Sequence, residues 1–167
     1  LQGKKLSYNN FLDGEAALLC LNEFKNNSCV IVKHNSPCGI GSGKTTKQAF
    51  LNALAVDPLS AFGGIVAMNK KCGLATAKEI SGVFFEIIIA PSFDAAALKL
   101  FSKKKNLRIL QLKKFVPSSA FVRSISGGRV GQDTDSSKLV VSKLKNPTNK
   151  KPTAKQLESL ELAWKAV

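Results

Sequence analysis

Short apolar runs alternate along the chain with stretches in which apolar residues recur at helical spacing. The runs at 29–32, 64–68, 84–90 and 107–112 are rich in Val, Ile and Leu, as buried strands are. Helical spacing predicts helices that begin at Asp13, at Thr45 or Thr46, and at Asp94, with another over 75–80. This rhythm predicts an α/β fold with three layers and a mostly parallel or mixed sheet.

The pattern weakens after Lys113. Residues 115–122 predict a strand interrupted by Pro117, Gly127-Gly128 a turn, and 139–141 a further strand. Residues 143–152 are typical of a polar linker, and Thr153 is a candidate cap for a last helix that runs to Val167. Because the chain does not begin with Met and this helical pattern reaches the last residue, we expect a segment of a longer protein.

The stretch 34–43 is rich in Gly and Pro and therefore predicts a loop. Within it, Gly39 to Thr45 resembles a phosphate-binding loop, but that motif needs four residues between its first glycine and the Gly-Lys pair, and Gly39 leaves three. No aspartate follows the next apolar run at 64–69 either. A tight crossing from strand to helix is the preferred interpretation of these glycines.

The formal net charge of +14 raises nucleic-acid binding as a possible function. Arginine suits bidentate phosphate and base contacts, yet it occurs only at Arg108, Arg123 and Arg129. Scattered lysines favour a solvated surface. A basic nucleic-acid-binding α/β module is therefore the alternative function, and an anionic small substrate is compatible with either interpretation.

The composition gives no indication of a metal site or a membrane anchor. The chain has one histidine and four cysteines without a C-x-x-C pair, whereas a zinc site needs closely paired ligands. We therefore expect no zinc and free cysteines in a reducing compartment. No apolar run is long enough to span a bilayer, so we expect a cytoplasmic protein without membrane contact.

Lys33 and His34 directly follow the first apolar run, at the predicted carboxyl end of a strand. Ligands of open α/β sheets bind at such ends. A histidine there can accept a proton near neutral pH, and a lysine beside it can stabilise a developing oxyanion. Since no carboxylate partner is evident in the sequence, a surface Lys-His pair is equally compatible with the residues themselves.

Several motifs together resemble the AICAR transformylase family, the part of a bifunctional purine-biosynthesis enzyme that follows its IMP cyclohydrolase domain. Lys-His-Asn-Ser-Pro-Cys-Gly at 33–39 is similar to the family signature Lys-His-x-Asn/Ser-Pro-x-Gly. Further similar segments, in family order, lie at 1–10, 57–64 (Asp-Pro-Leu-Ser-Ala-Phe-Gly-Gly), 86–91, 102–106, 127–133 and 162–165. The resemblance covers essentially all of residues 1–167 and implies a cytidine-deaminase-like subdomain.

The resemblance also implies an activity and a site. The family transfers a formyl group from 10-formyltetrahydrofolate to the 5-amino group of AICAR, as a homodimer and without zinc. His34 matches the general base and Lys33 the residue that stabilises the transition state. Gly63 matches a backbone contact to AICAR, Glu86 an acidic position that binds the nucleotide, and Asn10 a position near the pocket.

The chain departs from the family pattern in ways that affect these expectations. Arg129 and Gly131 replace apolar residues, which predicts a weakened strand. The chain starts after the family's nucleotide-contacting Arg-Tyr pair and stops at Val167, before a Lys-Ser-Asn segment. We therefore expect a first lobe that runs into the connection to a second lobe near 143–167, and expect this fragment to be inactive alone.

Overall fold

The computed structural model of the chain describes residues 1–135 and 137–166. They form two compact units, Leu1–Phe115 and Val116–Val167. The first unit contains, in chain order, α1 Tyr8–Asn22, β1 Ser28–Lys33, β2 Ser36–Ser42, α2 Thr46–Leu54, α3 Pro58–Ala61, β3 Ile65–Met68, α4 Leu74–Ser81, β4 Ile87–Ala90, α5 Ala95–Phe101 and β5 Arg108–Gln111.

The five strands of the first unit form one mixed sheet with the order β2-β1-β3-β4-β5. Strands β3, β4 and β5 are parallel to one another, as the helices between them require. Strand β1 is antiparallel to both of its neighbours, β2 and β3. The predicted α/β class with a mixed sheet is therefore confirmed.

Helices cover both faces of this sheet, because its inner strands are apolar on both sides. On one face, Ala17 and Leu21 of α1 pack with Val30, Ile65 and Ile87. The opposite face carries the larger cluster, which includes Phe50 of α2, Ile80 of α4, Phe101 of α5, Ile31 and Ile88. Every residue of β3 and of β4 is buried. These layers match the predicted three-layer arrangement.

Residues 36–42 form an edge strand, so the loop predicted for 34–43 is wrong. The Gly and Pro content suggested a loop, but the glycines in this strand serve helix packing. A Cβ atom at Gly39 would overlap the carbonyl oxygen of Ala53, and one at Gly41 would overlap the Ala53 nitrogen. These glycines therefore let α2 lie directly on β2, and they do not form a phosphate-binding cradle.

Helix α1 begins at Tyr8, five residues earlier than the cap predicted at Asp13. Ser7 is the cap: its hydroxyl accepts from the Asn10 N–H, and the Asn10 side chain accepts from the Ser7 N–H. This capping box satisfies two donors at the helix start. Asp13 lies within the helix and bonds elsewhere. The predicted cap at Thr45 is confirmed, since its hydroxyl accepts from the Gln48 N–H.

The second unit contains β6 Ala120–Ile125 and β7 Gly128–Asp133, which form an antiparallel hairpin, then a short 3-10 helix Val141–Lys143 and α6 Ala154–Ala166. The strand predicted over 115–122 thus begins only at residue 120, and residues 139–141, all of them described, form no strand. The turn at Gly127 is confirmed, with φ of 82°. Arg129 and Gly131 lie inside β7, so they do not abolish this strand.

Helix α6 begins where the sequence predicts it. The Thr153 hydroxyl accepts from the Gln156 N–H at 3.3 Å, which confirms the cap. The predicted helix end at Val167 lies outside the described residues. No helix among residues 1–135 and 137–166 is both long and apolar enough to cross a membrane.

Candidate functional site

The five residues expected to carry function lie at one end of the mixed sheet. Because β1 runs antiparallel to β3, its carboxyl end meets the amino ends of the parallel strands: Val32 pairs with Ile65, Ile65 with Ile87, and Ile87 with Arg108. Lys33 and His34 lie at the carboxyl end of the first strand, as the sequence predicts, whereas Gly63 and Glu86 precede strands β3 and β4. We call Asn10, Lys33, His34, Gly63 and Glu86 the amino-end site.

Lys33 is the last residue of β1, and its ammonium group is fixed by a backbone carbonyl. Its Nζ donates to the carbonyl oxygen of Phe62 at 2.7 Å. An ammonium has three donor hydrogens, so this bond leaves others for a ligand. The contact points Lys33 toward the segment 57–64, one of the motifs on which the family resemblance rests.

The segment 57–64 folds as one helical turn followed by a sharp bend. Asp57 caps α3 and accepts from the Ser60 hydroxyl at 2.6 Å and from its N–H at 2.9 Å. These bonds, the hydroxyl first, hold the pKa of the Asp57 carboxyl below its ordinary value. Pro58 occupies the first helical turn, where a missing N–H costs nothing. The motif thus presents the Phe62 carbonyl to Lys33.

Gly63 lies directly after this turn, with φ of 76°, a conformation that favours glycine. Its N–H donates to the Phe84 carbonyl at 2.8 Å and is therefore engaged within the protein. The rings of Phe62 and Phe84 are exposed and lie side by side, with centroids 5.3 Å apart. An apolar surface therefore borders the amino-end site beside Gly63.

His34 lies in the two-residue turn that joins β1 to β2, and it is exposed. Both turn residues have positive φ, 54° at His34 and 61° at Asn35. The Asn35 N–H donates to Oδ1 of Asp13 at 2.7 Å, which ties the turn to α1. Sequence reasoning does not identify Asp13 as part of the site, because its residue type and position suggest a helix cap.

Glu86 precedes β4 and is held by two side chains. Its Oε2 accepts from Nδ2 of the buried Asn10 at 3.0 Å and from the Arg108 guanidinium at 3.4 Å. Arg108 is 14% exposed along its side chain and also donates to the Lys5 carbonyl, whereas Glu86 is 42% exposed. The sequence does not identify Arg108 as part of the site. Its position at the start of β5, the strand that follows β4 in the chain, could have suggested that it lies near Glu86.

A cavity of about 180 Å³ lies at the opposite end of the sheet, where β3, β4 and β5 finish. Met68, Asn69, Pro91 and Leu112 are among its lining residues. None of the five predicted residues lines it. The side chains of the amino-end site therefore lie away from this cavity.

The fold and the amino-end site together define a three-layer α/β protein with a Lys-His pair and a fixed carboxylate at one end of its sheet. The model of the AICARFT/IMPCHase bienzyme family matches residues 1–167, and the chain belongs to this family. The resemblance seen in the sequence is therefore confirmed.

Curated relatives carry the description bifunctional purine biosynthesis protein PurH. Those from Aquifex aeolicus (strain VF5) and Persephonella marina (strain DSM 14350 / EX-H1) are each 47% identical, over 169 and 170 residues. That from Lactobacillus delbrueckii subsp. bulgaricus (strain ATCC BAA-365 / Lb-18) is 48% identical over 171 residues. All of this chain is covered in each comparison, but only 33% of the relative, so the chain spans about a third of their length.

Solved structures with some likeness include RibD of Acinetobacter baumannii, with a TM-score of 0.44, 15% identity and coverage of 59% of this chain and 34% of that one. A dCMP deaminase from the cyanophage S-TIM5 has a TM-score of 0.43 and 15% identity, over 65% of this chain and 100% of that one. The α/β class rests on the chain's own strands and helices.

Proposed function

We infer that the chain supplies the acceptor side of a formyl transfer from 10-formyltetrahydrofolate to the 5-amino group of AICAR, in IMP biosynthesis. The observation that carries this proposal is the grouping of Lys33, His34 and Glu86 at one end of the sheet, where hydrogen bonds hold the Lys33 and Glu86 side chains and the turn between β1 and β2 presents His34. Family membership over residues 1–167 supports it.

The reaction needs help with both a proton and a negative charge. The amine nitrogen of AICAR attacks the formyl carbon, and the formyl oxygen becomes an oxyanion. Lys33, whose ammonium lies beside the Phe62 carbonyl, stabilises that oxyanion. His34 removes the proton from the attacking nitrogen. The oxyanion then re-forms the carbonyl as the bond from the formyl carbon to N10 of the folate breaks, and N10 receives the proton that His34 removed, so that tetrahydrofolate leaves.

The nucleotide is proposed to bind between Glu86 and the Gly63 bend. Glu86 uses Oε2 for both of its bonds, to Asn10 and to Arg108, so Oε1 makes no hydrogen bond among the described residues and is available to a ligand. A carboxylate oxygen there accepts from an N–H or O–H of the nucleotide. Gly63 contributes backbone to the same side, and Asn10 keeps the carboxylate in place.

The amino-end site is open to solvent, which affects the activity expected of residues 1–167 alone. His34 is exposed, and so are Phe62 and Phe84 beside Gly63. Transfer of a formyl group to a weak amine rather than to water requires a closed site. We therefore propose that residues 1–167 alone do not turn over, and that further chain and the second subunit of a cytoplasmic homodimer cover the site. Proton transfer and charge stabilisation are assigned to His34 and Lys33, so the proposal includes no zinc.

A chimera tests the assignment of His34. Residues 1–167 replace the matching third of the Aquifex aeolicus relative, and formyl transfer from 10-formyltetrahydrofolate to AICAR is measured. We expect transfer by the chimera and a loss of roughly a hundredfold or more in kcat for His34→Ala, the usual scale of general-base catalysis. A His34→Ala chimera with unchanged kcat would remove His34 as the base.

Calorimetric titration of the 167-residue chain with AICAR tests the binding side separately. We expect weak binding that Glu86→Gln reduces by about tenfold, because a charge-assisted hydrogen bond is lost. Glu79→Gln is the matched control, since Glu79 lies on α4 and pairs with Lys47, not with the site. Equal loss of affinity in both variants would contradict a specific role for Glu86.

A further inference from the structure

The turn that presents His34 has a backbone conformation that is uncommon for residues other than glycine. Lys33 pairs with Ser36, so His34 and Asn35 form a two-residue hairpin loop. Both lie in the left-handed region, at φ of 54° and 61°. Glycine adopts this region most readily, and Asn and His adopt it more often than other non-glycine residues, though less readily than glycine. The turn therefore benefits from an outside restraint.

The direction of the His34 ring depends on this backbone. Within residues 1–135 and 137–166, the imidazole of His34 makes no hydrogen bond, and the residue is exposed. No side-chain partner among those residues thus orients the ring, in contrast with Lys33 and Glu86. The backbone of the turn therefore sets the direction of the Cα–Cβ bond of His34, and with it the region that the imidazole can reach.

Asp13 supplies the restraint. Its Oδ1 accepts from the Asn35 N–H at 2.7 Å, the distance of a strong charge-assisted bond. Asp13 itself lies in α1, which is fixed by the Asn10–Glu86 bond and by the burial of Ala17 and Leu21 on the sheet. A residue on a packed helix therefore holds a turn with two positive φ angles at the amino-end site.

We propose that Asp13 is a positioning residue for the transfer reaction: its carboxylate fixes the His34–Asn35 turn to α1, so that the imidazole lies at the same sheet end as Lys33 and Glu86. The role in transfer rests on the proposed function of His34. The restraint on the turn is independent of it and is measurable without activity.

The first experiment measures the turn in the 167-residue chain by NMR. Asp13→Ala is expected to raise the exchange rate of the Asn35 amide about tenfold, the scale of one hydrogen bond. It also shifts the imidazole signal, which is unambiguous because the chain has a single histidine. Asp13→Asn keeps an acceptor oxygen and stays close to the parent chain. Glu15→Ala, an exposed acid on the same helix, is the control and leaves both signals unchanged.

An unchanged Asn35 exchange rate in folded Asp13→Ala, with folding checked by circular dichroism, overturns the restraint. A second variant distinguishes loss of the restraint on the turn from a general disturbance of α1. Asn35→Gly makes the positive φ easy to adopt. In the Asp13→Ala background it is expected to return the imidazole signal toward its original position. If it does not, the effect of Asp13→Ala comes from the helix and the proposal fails.

The chimera then tests the part that depends on function. Asp13→Ala is expected to lower kcat by roughly ten- to a hundredfold, since small displacements of a catalytic group have effects of this size, while the KM for AICAR is unchanged. Asp13→Asn and the Asn35→Gly rescue recover most of kcat. If Asp13→Ala keeps full activity while His34→Ala loses it, the positioning role of Asp13 is wrong and the role of His34 stands. Full activity in both overturns His34 as the base, and with it the part of Asp13 in transfer.

Discussion

Strands β4 and β7 belong to the same chain but have opposite surroundings. All residues of β4 are buried, between the parallel strands β3 and β5 and under helices on both faces. All residues of β7 are exposed, and β6 is its partner in a two-stranded hairpin. A hairpin of two strands is marginally stable in water. The first unit therefore owes its strands to burial, while the second owes them to local pairing.

The same difference in burial applies to individual side chains in the two units. In the first unit, the apolar side chains of the inner strands alternate between two packed faces. A substitution there therefore changes contacts with neighbouring side chains. In the hairpin, Phe121, Ile125 and Val130 remain about half exposed. Substitutions of the same type in the two units are therefore expected to have very different effects, and matched pairs measure the contrast.

The largest contrast is expected between two phenylalanines. Phe50 is fully buried and meets Phe85 edge to face, with ring centroids 6.0 Å apart. Phe50→Ala is expected to lower the free energy of unfolding by about 3–5 kcal/mol, from lost burial and a residual cavity. Phe121→Ala in β6 is expected to change it by no more than about 0.5 kcal/mol. Urea unfolding followed by far-UV circular dichroism measures both. Similar losses would mean that the hairpin is packed as tightly as the sheet.

A glycine pair gives the next contrast. A Cβ at Gly41 would overlap backbone atoms of Ala53 and Ala49, so Gly41→Ala must push α2 away from β2 and is expected to cost about 1–3 kcal/mol. A Cβ at Gly131 would meet its nearest atoms at 3.6 Å and 3.8 Å, in ordinary contact.

For Gly131→Ala we expect no loss, and a gain of up to about 1 kcal/mol from reduced freedom of the unfolded chain. The same thermal or urea unfolding experiment serves for both glycine variants. A neutral Gly41→Ala would show that the contact between α2 and β2 is loose, and that close helix packing does not require the glycines of β2.

The smallest contrast concerns two carboxylates, one in each unit. Hydrogen bonds from Ser60 lower the pKa of Asp57, and those from Ser137 lower the pKa of Asp135. Because the pKa is lowered in the folded state, each bond stabilises the fold above the unfolded value of about 3.9 and is lost as the pH falls through the folded value. Ser60→Ala and Ser137→Ala are expected to raise these pKa values, as carboxyl NMR titration measures.

The sizes of the two pKa increases compare the order of the two units further. Asp57 caps a helix in the sheet unit, and its bond from the Ser60 hydroxyl is 2.6 Å long. We expect its rise to be at least as large as that of Asp135. A larger rise at Asp135 would show that the loop after β7 is as well ordered as α3.

The sequence predicts the parts of the fold that burial dictates. The runs at 29–32, 64–68, 84–90 and 107–112 each contain a strand, because parallel or inner strands need apolar residues on both faces. It fails at β2. Gly39 and Gly41 are needed there because α2 packs directly on the strand, and such a contact between distant elements is not visible in the local sequence. It fails again at 139–141, an apolar segment that pairs with no strand among the described residues and leads into a 3-10 helix.

For the amino-end site, the sequence predicts which residues lie together but not the geometry that joins them. Periodicity does not give strand direction, so it does not indicate the reversal of β1, although this reversal brings Lys33 beside Phe62. The sequence suggests a helix cap at Asp13 because its residue type fits one. Its bond to Asn35 connects residues 22 positions apart, and such pairs are not readable from local pattern.

The two-residue connection between β1 and β2 also bears on how the chain folds. Closing so short a loop costs little entropy, and isolated hairpins form within about 1–10 μs. The pairing of β3 with β4 and of β4 with β5 must instead wait for helices α4 and α5 to be arranged between the strands, which is slow for parallel sheets. The segment that carries Lys33 and His34 is therefore among the earliest to find its partner, and the sheet is completed onto a hairpin that already contains this Lys-His pair.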